Sequence, residues 1–311
     1  MRFEHALQHT KEKLAELELM LRAPELPLRQ ALFLAQELVA HGHRQADVPL
    51  RQLRAQSGHA DVQAYCTLLE QAWQNLRRHF ELESVADAVS AQFYRRDGFV
   101  LCRTSQSSRK LLVIFTTIYN NFAISTLALA GLLQRLGVNL LILKDATRHA
   151  YHRGVEGFAD TLPGIAGAIS RTADQLGADR IYVSGFSSGG YPALLTSLHL
   201  KCAGYLGFSH MTDLSAQSPL PQSRQMPPEL RNTLDQRYLC DLRPLLENAD
   251  PAVPRRLVYG ARSPTDVAHA RHCEGLGTLG LTCLPDATHN TPLKLLANGR
   301  LDSVFEELIA R

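Results

Sequence analysis

The sequence has little net charge and no long apolar stretch. Its 33 Lys and Arg residues nearly balance its 30 Asp and Glu residues, which leaves a formal net charge of +3. We therefore expect no nucleic-acid partner, because nucleic-acid binders neutralise many phosphates with clustered basic residues. The most apolar runs, such as residues 127–133, are far too short to cross a bilayer, and the start, MRFEHALQHTKEK, lacks the apolar core of a signal peptide. These absences predict a cytoplasmic protein without a membrane span.

Metal-binding patterns are also lacking. None of the six cysteines forms a CxxC pair, and we interpret them as structural thiols. His149 with His152, and His269 with His272, have spacings that a helix turns into a pair of ligands, but no carboxylate or Cys pattern completes either pair. We expect no metal and no cofactor.

The composition divides the chain near residue 83. Residues 1–85 are rich in Leu, Ala, Gln, Arg and Glu, and their apolar residues recur at helical spacing. The predicted helices are Glu4–Leu21, Leu28–His41, Leu50–Gln56 and Asp61–Phe80, with Asp61 near the start of the last as a cap. This helical region either packs on the main domain, forms a contact between copies of the chain, or docks a protein partner.

Residues 90–311 alternate between apolar strands and helices. The predicted strands are Phe99–Arg103, Lys110–Thr116, Val138–Lys144, Arg180–Ser184, Ala203–Phe208, Arg255–Tyr259 and Leu279–Leu284. The predicted helices between and after them are Phe122–Leu136, Gly157–Leu176, Gly189–Leu200 and Pro292–Arg311. Strands that are apolar along their whole length indicate a parallel sheet covered on both faces. The fold class is therefore α/β, with a doubly wound, mostly parallel sheet whose chemistry gathers at the carboxyl ends of its strands.

A G-x-S-x-G motif lies between a predicted strand and a predicted helix. It reads Gly185-Phe186-Ser187-Ser188-Gly189. A sharp turn of this kind lifts the hydroxyl of its central serine clear of the sheet. The strand and the helix pass so closely that the positions two before and two after the serine must lack side chains. Ser187 is thus a candidate nucleophile at a helix N-terminus.

With this motif, residues 93–311 resemble the α/β-hydrolase superfamily. The resemblance implies a catalytic triad in the order Ser, acid, His. The base would be His289, which follows the last predicted strand in a loop, and the acid would be Asp266, in the turn after Arg255–Tyr259. The alternative candidates for this acid are Asp213, which follows Ala203–Phe208, Asp241 and Asp286. In such a triad the His takes the serine proton, and the Asp orients the imidazole.

The same resemblance predicts an oxyanion hole from two backbone N–H groups. One would come from Ser188, and the other from Thr117 or Ile118 in the loop after Lys110–Thr116. That loop reads Thr116-Thr117-Ile118-Tyr119-Asn120-Asn121, which departs from the HGGG-type loop of many esterases. We expect Tyr119 to contact the substrate.

Two further segments are predicted to shape the substrate site. The loop after Val138–Lys144 carries Arg148, His149 and His152, which suit an anionic group such as a carboxylate or phosphate. The alternative, a solvated basic loop without a ligand, is the one that the sequence favours. Residues 211–240 are expected to form a small cap over an open pocket.

Together these features predict a serine hydrolase that acts on a small-molecule or carrier-bound ester, thioester or amide through an acyl-enzyme. An acyltransferase with the same triad is an alternative. A third hypothesis is a non-catalytic hydrolase-fold partner protein in a bacterial biosynthetic or secretion system.

Overall fold

The computed structural model describes residues 16–17, 19–21, 26–81, 98–104, 108–221, 232 and 234–310. The predicted helix over residues 4–21 lies almost wholly outside this part of the chain, as do residues 222–231 of the predicted cap. The helices are α1 (Leu28–Ala40), α2 (Asp47–Gln56), α3 (Ala60–Arg77), α4 (Thr126–Gln134), α5 (Leu162–Leu176), α6 (Gly190–His199), α7 (Arg243–Glu247), α8 (Pro264–His272), α9 (Thr291–Ala297) and α10 (Leu301–Ile309). In the described part of the chain, no helix combines the length and the apolar character needed to span a bilayer.

Seven strands form one sheet. They are β1 (Phe99–Cys102), β2 (Lys110–Phe115), β3 (Asn139–Leu143), β4 (Arg180–Phe186), β5 (Gly204–Phe208), β6 (Arg255–Gly260) and β7 (Gly280–Leu284). Their order across the sheet is β1-β3-β2-β4-β5-β6-β7. β1 runs antiparallel to β3, and every other pairing is parallel. The predicted fold class is confirmed.

The chain separates into two units. The sheet unit comprises Gly98–Phe122, Leu136–Thr291 and Val304–Arg311, and the helical unit comprises Met1–Asp97, Ala123–Arg135 and Pro292–Ser303.

In the sheet unit, both faces of the sheet are buried. Leu111, Val113 and Phe115 of β2 share one apolar cluster with Ile165 and Ile169 of α5. On the opposite face, Phe208 of β5 meets Phe122 and Phe305 at ring-centroid distances of 5.5 and 5.9 Å, respectively. Alternate side chains of β2 point to opposite faces, so a strand buried on both sides must be apolar at every position.

The helical unit gathers segments that are distant in sequence. The backbone N–H of Ser125, before α4, donates to the carbonyl of Ala40 at 2.8 Å. The Asn75 amide of α3 donates to the carbonyls of Leu296 and Ala297 at the end of α9. Residues 123–135 and 292–303 therefore group with the N-terminal helices and not with the rest of residues 90–311. Whether residues 1–85 fold as a separate domain stays a prediction.

Several predicted helix bounds differ from those observed. The helix predicted over 157–176 begins only at Leu162, where the Thr161 side chain accepts from the Gly164 N–H. The helix predicted over 122–136 begins only at Thr126, because the Ser125 side chain accepts from the Ala128 N–H and caps it there. The helix predicted over 292–311 is broken into α9 and α10 at Gly299, which has a φ of +65°. Asp61 lies in the first turn of α3 and makes no side-chain cap.

Candidate active site

The turn between β4 and α6 holds Ser187 in a left-handed conformation. Its φ is +53°, unusual for a residue with a side chain. A Cβ at Gly185 would lie 2.5 Å from the carbonyl oxygen of Gly189, and one at Gly189 would lie 2.3 Å from that of Thr116. Both positions must therefore be glycine for the strand and the helix to pass each other. This geometry presents the Ser187 hydroxyl at the carboxyl end of the sheet.

Ser187 heads a chain of hydrogen bonds. Its Oγ lies 2.8 Å from Nε2 of His289, and Nδ1 of His289 lies 2.9 Å from Oδ1 of Asp266. The Asp266 side chain is 2% exposed, and that of His289 is 50% exposed. A neutral imidazole with its Nδ1–H donated to Asp266 leaves Nε2 free to accept the Ser187 proton. The three residues thus have the connectivity of a nucleophile, its base and the acid that orients the base.

The end of β6, which leads to Asp266 in the first turn of α8, and the loop that carries His289 are tied together. A Cβ at Gly260 would lie 2.1 Å from the Thr288 carbonyl oxygen, so the end of β6 lies directly against the His289 loop. The N–H of Arg262 donates to the carbonyl of Ala287 at 2.9 Å. On the acid side, Ser263 caps α8 by accepting from the Asp266 N–H. Acid and base are held in register by backbone contacts as well as by their own hydrogen bond.

Comparisons with known proteins show what this fold is similar to. No family model matches the chain, and no curated protein matches it. Among solved structures, one from the metagenome-derived lipolytic enzymes LipS and LipT matches with a TM-score of 0.50 at 14% identity, over 69% of this chain and 98% of that one. This chain has the α/β-hydrolase fold. The acylaminoacyl peptidase of Pyrococcus horikoshii matches with a TM-score of 0.49 at 11% identity, over 68% of this chain but only 39% of the peptidase. MenH from S. aureus matches with a TM-score of 0.46 at 12% identity, over 69% of this chain and 97% of MenH.

Against Gly190, three residues after Ser187, lies a buried histidine, His210, that the sequence did not single out. A Cβ at Gly190 would lie 2.4 Å from the Cβ of His210. Nδ1 of His210 is 2.8 Å from the Met211 carbonyl, and its Nε2 is 2.7 Å from the Tyr205 hydroxyl. Nδ1 must carry the proton, since a carbonyl only accepts. Burial lowers the pKa of His210 to about 4, so the ring is neutral at pH 7.

A second buried histidine lies one turn after the acid. Nδ1 of His269 accepts from the Thr212 N–H at 3.1 Å, and Nε2 lies 3.0 Å from the Pro221 carbonyl. Burial lowers its pKa as well. His269 therefore fastens α8, and with it Asp266, to the loop after β5. Nothing in its local sequence marks this role.

The other candidate acids have different partners. Oδ1 of Asp241 lies 2.8 Å from Nε2 of His272, and Asp286 lies 3.5 Å from Arg262 on the surface. Asp213, Asp241 and His272 offer ligand atoms within 4.8 Å of one another. Oδ1 of Asp213 accepts the Ser215 N–H and Oδ1 of Asp241 accepts the Arg243 N–H, so this cluster already serves to join loops. His269 and His272, three residues apart, have different hydrogen-bond partners.

Two of the N–H groups predicted to form the oxyanion hole donate to acceptors within the protein. The Thr117 N–H donates to the Asn121 carbonyl at 2.9 Å, which closes the loop on itself. The Ile118 N–H donates to Oγ of Ser188, also at 2.9 Å. The Ser188 N–H lies at the start of the helical turn Ser187–Gly189, where N–H groups have no acceptor within the helix. The Tyr119 N–H donates to Thr117 Oγ1 at 3.2 Å, and the Tyr119 side chain is 64% exposed.

The basic loop after β3 folds around a buried carboxylate. Asp145 is fully buried and accepts hydrogen bonds from the Thr147 and Tyr151 N–H groups. Burial lowers the pKa of His152 to about 4, so this ring is neutral at pH 7. No hydrogen-bond partner for either ring nitrogen of His152, or for Nδ1 of His149, is present in the described residues. Arg148 is exposed and remains a cation that the loop offers to a ligand.

Proposed function

We propose that this protein is a serine hydrolase that cleaves an ester, thioester or amide through an acyl-enzyme. The observation that carries the proposal is the continuous path from Ser187 Oγ through both ring nitrogens of His289 to Asp266, with contacts of 2.8 and 2.9 Å. The fold, shared with lipolytic enzymes and a peptidase, supports the same reaction class by analogy.

In the first step, Ser187 Oγ attacks the acyl carbon while its proton passes to Nε2 of His289. The tetrahedral intermediate collapses as His289 gives that proton to the leaving group. Water then attacks the acyl-enzyme while His289 takes a proton from it, and the acid product leaves. Asp266 holds the Nδ1–H tautomer throughout and stabilises the imidazolium, which its buried carboxylate does more strongly than an exposed one.

The substrate would enter from the side of Tyr119 and Arg148. Tyr119 offers an exposed aromatic ring beside the nucleophile loop, and Arg148 offers a positive charge. Since His152 is neutral at pH 7, recognition of an anion by this loop would rest on its exposed arginines, Arg148 and Arg153.

Covalent labelling with a fluorophosphonate tests the proposal. Ser187 Oγ bonds to phosphorus, the P–F bond breaks, fluoride leaves, and the hydroxyl proton goes to His289. Intact-protein mass should show one adduct per chain in the wild type and none in Ser187→Ala. His289→Ala should slow labelling by several orders of magnitude.

A matched control is Ser170→Ala, since the Ser170 hydroxyl donates only within its own helix, to the Ala166 carbonyl. This variant should label like the wild type. A folded wild type that takes up no adduct, or an adduct that persists in Ser187→Ala, would refute the proposed function.

A further inference from the structure

The side chain of Ser188, directly after the nucleophile, has a hydrogen-bonding arrangement that the reaction described above does not use. Its Oγ accepts the Ile118 N–H at 2.9 Å. A serine hydroxyl has one O–H to donate besides the lone pairs with which it accepts. No hydrogen bond from this hydroxyl to another described residue is present. The Ser188 N–H lies at the start of the helical turn Ser187–Gly189, where N–H groups have no acceptor within the helix. One residue therefore offers two unused donors beside Ser187.

The surrounding backbone holds this hydroxyl in place. Gly189 lies so close to the end of β2 that a Cβ there would meet the Thr116 and Phe115 carbonyl oxygens at 2.3 and 2.5 Å. The loop after β2 is closed by the Thr117 N–H donating to the Asn121 carbonyl at 2.9 Å, and the Tyr119 N–H donates to Thr117 Oγ1 at 3.2 Å. Ile118 is thus presented to Ser188 by a loop that is already hydrogen-bonded. The position of the Ser188 hydroxyl is fixed before any substrate arrives.

We propose that the oxyanion hole of this protein takes both of its donors from Ser188: the backbone N–H, and the side-chain O–H oriented and polarised by the Ile118 N–H. The proposal rests on the proposed function. The sequence predicts a direct contact from the Thr117 or Ile118 N–H, but both of these groups already donate to other acceptors. In this proposal the Ser188 hydroxyl accepts the Ile118 hydrogen bond and donates its own O–H to the substrate oxygen. No existing hydrogen bond has to break for this oxyanion hole to form. A direct Ile118 contact would first require the bond to Ser188 to break.

The rate of fluorophosphonate labelling reports on the oxyanion donors, because the phosphoryl oxygen occupies the oxyanion hole during attack by Ser187. Labelling is followed over a range of probe concentrations to separate the maximal rate from the half-saturating concentration. The variants are Ser188→Ala, which removes the hydroxyl and keeps the backbone N–H, and Ser188→Thr, which keeps both. Thermal unfolding of each variant shows whether it is folded.

We expect Ser188→Ala to lower the maximal labelling rate by about 10²-fold with a nearly unchanged half-saturating concentration, as loss of one oxyanion donor does. Ser188→Thr should retain most of the wild-type rate. If folded Ser188→Ala labels as fast as the wild type or faster, the hydroxyl only covers the Ile118 N–H and the proposal is wrong. An equal loss in folded Ser188→Thr would also overturn it. A wild type that does not label removes the proposed function, and this inference with it, whereas the first two outcomes remove the inference alone.

Discussion

Replacing Gly189 by alanine tests whether the close approach of β2 to the nucleophile turn sets the geometry of the site. The added Cβ would lie 2.3 Å from the Thr116 carbonyl oxygen and 2.5 Å from that of Phe115, where an ordinary contact begins at 3.4 Å. Both neighbours are backbone atoms of a buried strand end, so no side chain can rotate away. The turn and the strand end must separate by about 1 Å, and interiors packed at protein density resist such a shift.

The expected cost has two parts. Overpacking of this kind destabilises by about 1–3 kcal/mol, which corresponds to a fall in Tm of about 2–12 °C for a chain of this order of size. A displacement of about 1 Å between reacting groups lowers rates by about 10²-fold. Gly189→Ala should therefore show both a lower Tm and slower fluorophosphonate labelling at a temperature where it is fully folded.

The matched control is Gly277→Ala. Gly277 has no neighbour within 4 Å of an added Cβ, so this variant should keep the wild-type labelling rate and Tm. The reasoning is refuted if Gly189→Ala labels within threefold of Gly277→Ala and unfolds at the same temperature.

Two further results are expected. Asp266→Asn should keep the contact to His289 but stabilise the wrong tautomer, which lowers the hydrolysis rate of an ester such as p-nitrophenyl acetate by about 10⁴-fold; a loss below tenfold would contradict the role of Asp266. His210 is held neutral with a pKa of about 4, below the value of about 6.5 in an unfolded chain, so the unfolded state binds more protons between these pH values. The free energy of unfolding, measured in urea, should therefore fall from pH 7 to pH 5, and the fall should be smaller in His210→Asn; an equal fall in both would rule out His210 as its source.

The fold was predictable because its signals are periodic. Strands such as β2 are apolar and buried over most of their length, from Leu111 to Phe115 in β2, and α5 ends at Gly177 with a φ of +66°, as the glycine in the sequence suggests. The turn at Ser187 was predictable for a steric reason, since only glycine suits the positions of Gly185 and Gly189. The late histidine and the acid before it follow from chain order in a resembling family, and the structure brings them within hydrogen-bonding distance of each other and of the serine.

What escaped prediction depends on contacts without periodicity. Whether the Ile118 N–H points to a substrate or to Ser188 is decided by a few loop torsions, which the residue types do not specify. His210 has no motif around it, and the spacing of His269 and His272 indicates only a possible ligand pair. The buried contacts of His210 and His269 with backbone carbonyls depend on the folded loops. His152 reads as a basic residue in sequence, yet burial keeps its ring uncharged at neutral pH.

The helical unit is assembled from three separate stretches of chain, the last of which is Pro292–Ser303. During synthesis, α1 to α3 leave the ribosome before any strand of the sheet, whereas the carbonyls of Leu296 and Ala297, to which the Asn75 amide donates, follow Asn75 by 221 and 222 residues. This part of the helical unit therefore cannot be completed until all seven strands of the sheet have been synthesised. A chain halted between β7 and residue 292 would hold every strand of the sheet but would lack the Pro292–Ser303 segment of the helical unit.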